Sequence, residues 1–327
     1  MDIKAIQEYL GESWSAVGER IRMALNSDID LLNSTNESIL SHSGKQMRPM
    51  LGLLMARACS SDITTDSTIS YAAASELLHN ATLLHDDVAD GSMKRRGAPT
   101  IMSLMGPSVS VLVGDYWLVK AMELILGDSD SDTRVIRIFS RTLSDLAEGE
   151  MLQLQKAQNR DTDEADYLKI IYNKTASLFE AACVSAAVSV GASPEYEKAA
   201  RDYAMALGLA FQIKDDILDY VGTESVGKPL GVDILEQKIT MPLLGAMKNA
   251  GEEETERIRK MVADIVAHPG HRDAVVDFVK KNGGIEYAVE RLDEYVSEAL
   301  EALNVFPDSF EKSSLVELAR YTALRNM

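Results

Sequence analysis

Apolar residues along this chain recur every three or four positions, as in Met50, Leu53, Leu54 and Ala58 and again in Leu143, Leu146, Ala147, Met151 and Leu154. That spacing lines one side of a 3.6-residue turn, so it predicts helices that each bury one face. Strand-like alternation is scarce. The breaks fall where Gly, Pro, Ser and Asp gather: SHSGKQMRP, KRRGAPT, LGDSDSDT, QNRDTDEA, GASPE, VGTESVGKPLG, HPGHRD and NVFPDS. The helices between them are long, and no low-complexity linker divides them. The pattern predicts an all-α fold with residues 1–327 as a single domain. One run, GEEETERIRK, reads as a solvated helix start whose acidic residues suit the positive end of the helix dipole.

Composition narrows the picture. With 46% hydrophobic and 26% charged residues the chain has the balance of a globular protein, large enough to bury a core. Aromatic residues make up only 6% while methionine occurs 15 times, which suits a core of flexible aliphatic side chains. The formal net charge of -18 would be repelled by phosphate backbones and anionic lipid headgroups, so nucleic-acid binding is disfavoured. Any anionic substrate must meet a local reversal of sign. Cys59 and Cys183, in ARACSS and AACVSA, read as buried free thiols in a reducing compartment. The stretch MDIKAIQEYLGESW has no apolar run of signal-peptide length, and no segment approaches a membrane span. The expected location is the cytoplasm.

Against that background two stretches stand out. LLHDDVAD places Asp86, Asp87 and Asp90 directly after apolar sequence, and FQIKDDILD repeats the spacing at Asp215, Asp216 and Asp219. On a helix the first and last aspartate of each set share a face. Carboxylates so close repel unless a cation is present. Oxygen-only ligands point to a hard cation, and one or two carboxylates per ion completed by phosphate oxygens is the usual arrangement for Mg²⁺. Two facing clusters could then hold one diphosphate through several ions. A lone DDxxD is most often solvated surface; two copies, each trailed by basic sequence, argue for chemistry. In GKQMRPM, Lys45 and Arg48 sit in a loop and Pro49 suits the first turn of the next helix, whose amides attract phosphate. His79 lies seven residues before Asp86, on nearly the same face. His42, His85, His268 and His271 show no such organisation, and no Ser/His/Asp order, CxxC pair or GxGxxG turn is present to compete.

Taken in order, GKQMRP, LLHDDVADGSMKRRGAPT, AEGEMLQL, NKTASLF and FQIKDDILD closely resemble the trans-isoprenyl diphosphate synthases, or polyprenyl synthetases, from about residue 44 to residue 242. The resemblance implies an all-α fold of long helices around a deep central cavity, a homodimer, and Mg²⁺-dependent condensation of an allylic diphosphate with isopentenyl diphosphate. By matched position, Asp86, Asp87, Asp90, Asp215, Asp216 and Asp219 would hold several Mg²⁺ ions on the allylic diphosphate. Arg95, Lys174, Lys228 and Lys238 would contact that diphosphate, with Thr175 and Gln212 nearby, while Lys45, Arg48, His79 and Arg96 would bind isopentenyl diphosphate. The released diphosphate would accept the proton. The chain departs from the family pattern at Gln237, where a glycine is usual, and at Val232, where a polar residue is usual.

Product length in such enzymes depends on what blocks the cavity beneath the first motif. An isoprene unit is roughly 5 Å long, about one helical turn. Below Asp86 this chain offers Thr82 and Ala81, then Leu78 and Leu77, then Ser75 to Ala72, before Tyr71. No aromatic plug sits in the first turn, which favours a long all-trans product of octaprenyl class, as used for a respiratory quinone side chain. The alternatives are a short-chain farnesyl or geranylgeranyl synthase, a class I terpene cyclase, which would normally lack the second DDxxD, and a non-catalytic subunit or acidic helical scaffold, which would be expected to lose motif residues.

Overall fold

A computed structural model describes residues 3–42, 44–95, 97–127, 132–221 and 231–325. The described residues are overwhelmingly helical, in line with the periodicity. They form two compact units that share strands of chain: Met1–Ser140, Ala181–Ala200 and Val305–Leu315 in the first, Arg141–Glu180, Arg201–Asn304 and Val316–Met327 in the second.

The first unit is built around α4 (Asp66–Ala89). Thr65 starts this helix with a capping box, its side chain accepting from the Thr68 amide while Thr68 answers the Thr65 backbone. Small residues, Ala72, Ala73, Ala74, Ser75 and Ala81, let neighbours approach, and nearly every position from Thr68 to Ala81 is buried. Against it pack α1 (Ile3–Leu25), α3 (Met47–Ser60) and α6 (Pro107–Leu126), with α2 (Asp30–Ser41) and the short α5 (Ile101–Met105) completing the set. Hydrogen bonds pair several buried polar groups in this unit. Trp117 Nε1 donates to Asn36 Oδ1 at 2.8 Å, Asn36 Nδ2 donates to the Leu25 carbonyl at 3.0 Å, and Ser110 Oγ donates to the Leu84 carbonyl at 2.8 Å. Between α4 and α5 the KRRGAPT stretch is a small hairpin, β1 (Lys94–Arg95) antiparallel to β2 (Ala98–Pro99), turned at Gly97 with φ of 82°.

The second unit takes the later part of α7 (Thr133–Asn159), α8 (Glu164–Ile171), a π-helical turn (Tyr172–Ala176), the start of α9 (Ser177–Ser189) and most of α10 (Pro194–Val221). α11 (Val232–Leu235), α12 (Met241–Asn249), α13 (Glu252–Ala263), α14 (His271–Lys281) and α15 (Gly284–Ala302) follow, and α16 (Phe310–Leu324) closes it. Its core gathers Ile213, Ile217, Met241, Leu243, Val275 and Leu292. GEEETERIRK opens α13 as expected, with Glu252, Glu253 and Glu254 in the first turn.

Two expectations are corrected. The periodicity picked the wrong face for the second half of α7: Val135, Phe139, Thr142, Asp145 and Gly149 are the buried positions, whereas Met151 and Leu154 are exposed and line a cavity of about 410 Å³ with Glu148, Leu152, Gln155 and Lys169. Near Gly149 the inward face carries no apolar side chain because it meets the π-turn and its lysine. Cys183 is buried, but Cys59 is only partly so.

Candidate active site

In the first unit the acidic motif forms the last turn of α4. Asp86 is half-buried, Asp87 is buried, and Asp90 is the exposed C-cap, its amide donating to the Asp86 carbonyl at 2.8 Å. The hairpin folds back on this turn. Arg95 Nε donates to Asp87 Oδ1 at 2.8 Å, the Ser92 amide donates to the Asp87 carbonyl at 2.9 Å, and Thr100 Oγ1 donates to the Ser92 carbonyl at 2.7 Å. Asp87 is thereby neutralised by Arg95, while Asp86 and Asp90 stand one turn apart on the same face. His79 is half-buried on the same helix; Lys45 is exposed before α3, and Arg48 lies in the first turn of α3 rather than in the loop. Arg96 lies outside the described residues. Of the chain-length candidates, Ala81 and Leu78 are fully buried and Thr82 is half-buried, its hydroxyl donating to the His79 carbonyl at 2.8 Å. His85 is a packing residue, set against Gly114 with Nε2 3.2 Å from Asp115 Oδ1.

The second motif lies near the end of α10, and its three carboxylates have three different surroundings. Asp216 is buried, with Oδ2 accepting from the Tyr167 hydroxyl at 2.6 Å and Oδ1 from Gln212 Nε2 at 2.9 Å. Gln212 Oε1 in turn accepts from Thr175 Oγ1 at 2.9 Å, so a relay runs Thr175–Gln212–Asp216–Tyr167. Asp219 receives the amides of Val232 and Asp233, each at 3.1 Å, and pins the start of α11. Asp215, 43% exposed, pairs with Arg325 at 2.7 Å. Burial, with Asp233 next, drives the Asp216 carboxyl well above the usual range, and the bonds from Tyr167 and Gln212 pull it back. Asp233 itself is raised to about 6 by burial and by Asp219, against the pull of Lys238.

Lys174 and Thr175 sit in the π-turn. A π-turn carries one residue more than a regular turn and is often found at functional sites. Here two glycines make room for it. A Cβ on Gly149 of α7 would meet Asn173 Cβ at 2.7 Å, and one on Gly208 of α10 would meet Ala176 Cα at 2.5 Å. The turn is thus clamped between two helix backbones. On the α7 side Lys174 ion-pairs with Glu150 and donates to Gln153 Oε1 at 3.1 Å.

Beyond the motif, Lys228 lies outside the described residues, and Lys238 pairs with Glu236 and approaches Asp233 at 4.0 Å. Both departures from the family pattern have a local account. Gln237 has a φ of 60°, the left-handed conformation that glycine adopts without strain and other residues adopt at about 1–2 kcal/mol. Its side chain offsets this by donating to the Ala263 carbonyl at 2.6 Å. Val232 serves Asp219 through its amide, which any residue but proline supplies.

Sequence reasoning left Tyr167, Glu150, Gln153 and Arg325 unassigned. Glu150 and Gln153 carried a signal, one turn apart in AEGEMLQL beside Gly149; Tyr167 and Arg325 lie 49 and 110 residues from their partners and had none. Among the described residues no group of three or more His, Cys, Asp or Glu is set to hold a metal by itself. The carboxylate donor set at the ends of α4 and α10 fits a hard cation that completes its shell with substrate oxygens.

The polyprenyl synthetase family model matches residues 29–279. The chain is 37% identical to octaprenyl diphosphate synthase of Escherichia coli (strain K12), over 100% of both chains. Among solved structures, a decaprenyl diphosphate synthase from Rhodobacter capsulatus superposes with a TM-score of 0.91 at 35% identity, covering 100% of each chain. A polyprenyl synthase from Caulobacter crescentus CB15, complexed with calcium and isoprenyl diphosphate, does so with a TM-score of 0.89 at 33% identity, covering 100% of this chain and 98% of that one. The motifs, the helical architecture and these full-length likenesses agree: this chain belongs to the polyprenyl synthetase family and is a trans-prenyltransferase.

Proposed function

We propose that the chain condenses an allylic diphosphate with successive isopentenyl diphosphate units to a long all-trans polyprenyl diphosphate of octaprenyl class. The observation that carries this reading is that both units end a helix in DDxxD and secure it with dedicated partners, Arg95 on Asp87 in one and Tyr167 and Gln212 on Asp216 in the other. A terpene cyclase or a silent subunit has no use for two such sets.

Asp86, Asp90 and Asp215 are the carboxylates best placed to hold Mg²⁺, with Asp87, Asp216 and Asp219 securing the turns that carry them. Bound there, Mg²⁺ would neutralise charge on the departing diphosphate. Arg95, Lys174, Lys228 and Lys238 bind the allylic diphosphate electrostatically, and Thr175 and Gln212 orient that surface. Lys174 arrives already paired with Glu150 and Gln153, so its ammonium is aimed before substrate enters. Lys45, Arg48, His79 and Arg96 bind isopentenyl diphosphate, and the start of α3, which has no side-chain cap, adds amide donors for its phosphates. The proton lost after each addition goes to the released diphosphate, which needs no dedicated protein base.

We take residues 1–327 as one synthase domain, acting as a homodimer. Leu112, Val119 and Leu126, seven residues apart and exposed on α6, supply an apolar stripe suited to a second copy. Among the described residues no helix is long and apolar enough to cross a membrane, and we assign the reaction to the cytoplasm, its product destined for a quinone side chain. Farnesyl diphosphate, labelled isopentenyl diphosphate and Mg²⁺ supplied to the purified chain should yield products well beyond geranylgeranyl. Products no longer than geranylgeranyl would refute the long-chain assignment, and silence relieved only by a partner protein would favour a subunit.

A further inference from the structure

Arg325 follows the last turn of α16, its amide donating to the Tyr321 carbonyl at 2.8 Å. Its guanidinium is largely buried, at 14% exposure, and is held in three ways. Nη2 donates to Asp215 Oδ1 at 2.7 Å and to the Phe211 carbonyl at 2.8 Å, and Cζ lies 3.8 Å from the centre of the Phe211 ring. Two of these contacts owe nothing to Asp215. The guanidinium can therefore give up the carboxylate and keep its place on Phe211, as its planar, delocalised charge allows. Asp215 is itself 43% exposed, and the oxygen Arg325 occupies is one that a cation would need.

We propose that Arg325 is a resident counter-cation for Asp215, a positioning residue that holds this carboxylate oriented between turnovers and yields it when Mg²⁺ and diphosphate arrive. The inference rests on the assignment of Asp215 to metal binding. Without Arg325, Asp215 would take up metal without first giving up this ion pair. With Arg325, loading is resisted until the diphosphate brings its own charge.

The test is calorimetric titration of Mg²⁺ into the full-length protein, with inorganic pyrophosphate as the non-reacting probe, for wild type, Arg325→Gln, Arg325→Lys, Asp215→Asn and the Asp215→Asn/Arg325→Gln double variant. Arg325→Gln should lower the half-saturating Mg²⁺ about fivefold, the factor for a coupling of about 1 kcal/mol in a partly exposed ion pair. Arg325→Lys should fall between, because an ammonium keeps the charge but lacks the planar group that lies against the Phe211 ring. In the Asp215→Asn background the Arg325→Gln change should have no further effect, which separates the pairing from any general loosening of α16. An unchanged or higher Mg²⁺ requirement in Arg325→Gln, with Asp215→Asn weakened, overturns the counter-cation role alone. An Asp215→Asn protein that binds Mg²⁺ as wild type does overturns the assignment of Asp215 beneath it.

Discussion

Replacing Tyr167 by Phe removes a single oxygen from the buried set around Asp216. The ring volume is kept, so no cavity term enters. What is lost is the 2.6 Å bond to Asp216 Oδ2, in a place where both partners are buried and water offers no replacement. A buried hydrogen bond contributes roughly 0.5–1.5 kcal/mol, and an acceptor left unsatisfied costs about 1–3 kcal/mol. For a unit of this size each kcal/mol moves the melting temperature by about 2–4 °C. Urea unfolding followed by circular dichroism should show the stability loss as a lower midpoint at an unchanged slope. Steady-state kinetics should show a further effect. Asp216 steers Gln212 and, through it, Thr175, so kcat/KM should drop at least fivefold, equivalent to about 1 kcal/mol of transition-state positioning. A variant within about 0.5 kcal/mol of wild type, with kcat/KM unaltered, would show that Asp216 does not depend on the hydroxyl, and the relay would have to be abandoned.

Other substitutions test other parts of the structure. Ala81→Tyr places an aromatic ring in the first buried turn below Asp86 and should shorten the products; an unchanged size distribution would put the floor on another element. Gln237→Gly trades about 1–2 kcal/mol of left-handed strain against a lost bond to Ala263 and added chain entropy, so it should unfold within about 1 kcal/mol of wild type, whereas Gln237→Val, β-branched at a φ of 60°, should lose about 2 kcal/mol. The reverse order in urea would refute the account of the loop. Asp66 is held below the usual carboxylate range chiefly by its hydrogen bond with Arg20, so its contribution is present above the ordinary aspartate pKa and is lost as pH falls through the lower folded value. The stability gap between wild type and Asp66→Asn should therefore be open at neutral pH and close in acid, and a gap that widens on acidification would contradict the pairing.

How much of this was legible in advance depended on the distance over which the deciding contact acts. The helix that carries the first motif was readable because an apolar run and three aspartates are local, whereas the Thr65 cap that starts it was not noticed. The missing glycine marked Gln237 as unusual, but its left-handed backbone and the bond to Ala263 that accompanies it are set by the fold and had no sequence signal. α7 misled because only its first half buries apolar side chains, Val135 and Phe139, while its second half turns Asp145 and Gly149 inward and leaves Met151 and Leu154 outside, against the usual amphipathic rule. The hairpin at Lys94–Pro99 escaped notice because two-residue strands have no period to detect. Tyr167 and Arg325 looked like ordinary helix residues, since their importance lies wholly in partners that sequence spacing does not reveal.

The wide turn at Tyr172–Ala176 absorbs one residue more than an ordinary turn, so the helix beyond it keeps nearly the phase of a regular helix one residue shorter. Excising a single residue there would let the helix run on regularly and leave the buried alanines of α9 close to their present places, but the turn that carries Lys174 would be lost and Lys174 would leave Glu150. Length in this short stretch is thus as tightly constrained as chemistry: single-residue deletions should be selected against even where every individual side chain tolerates exchange.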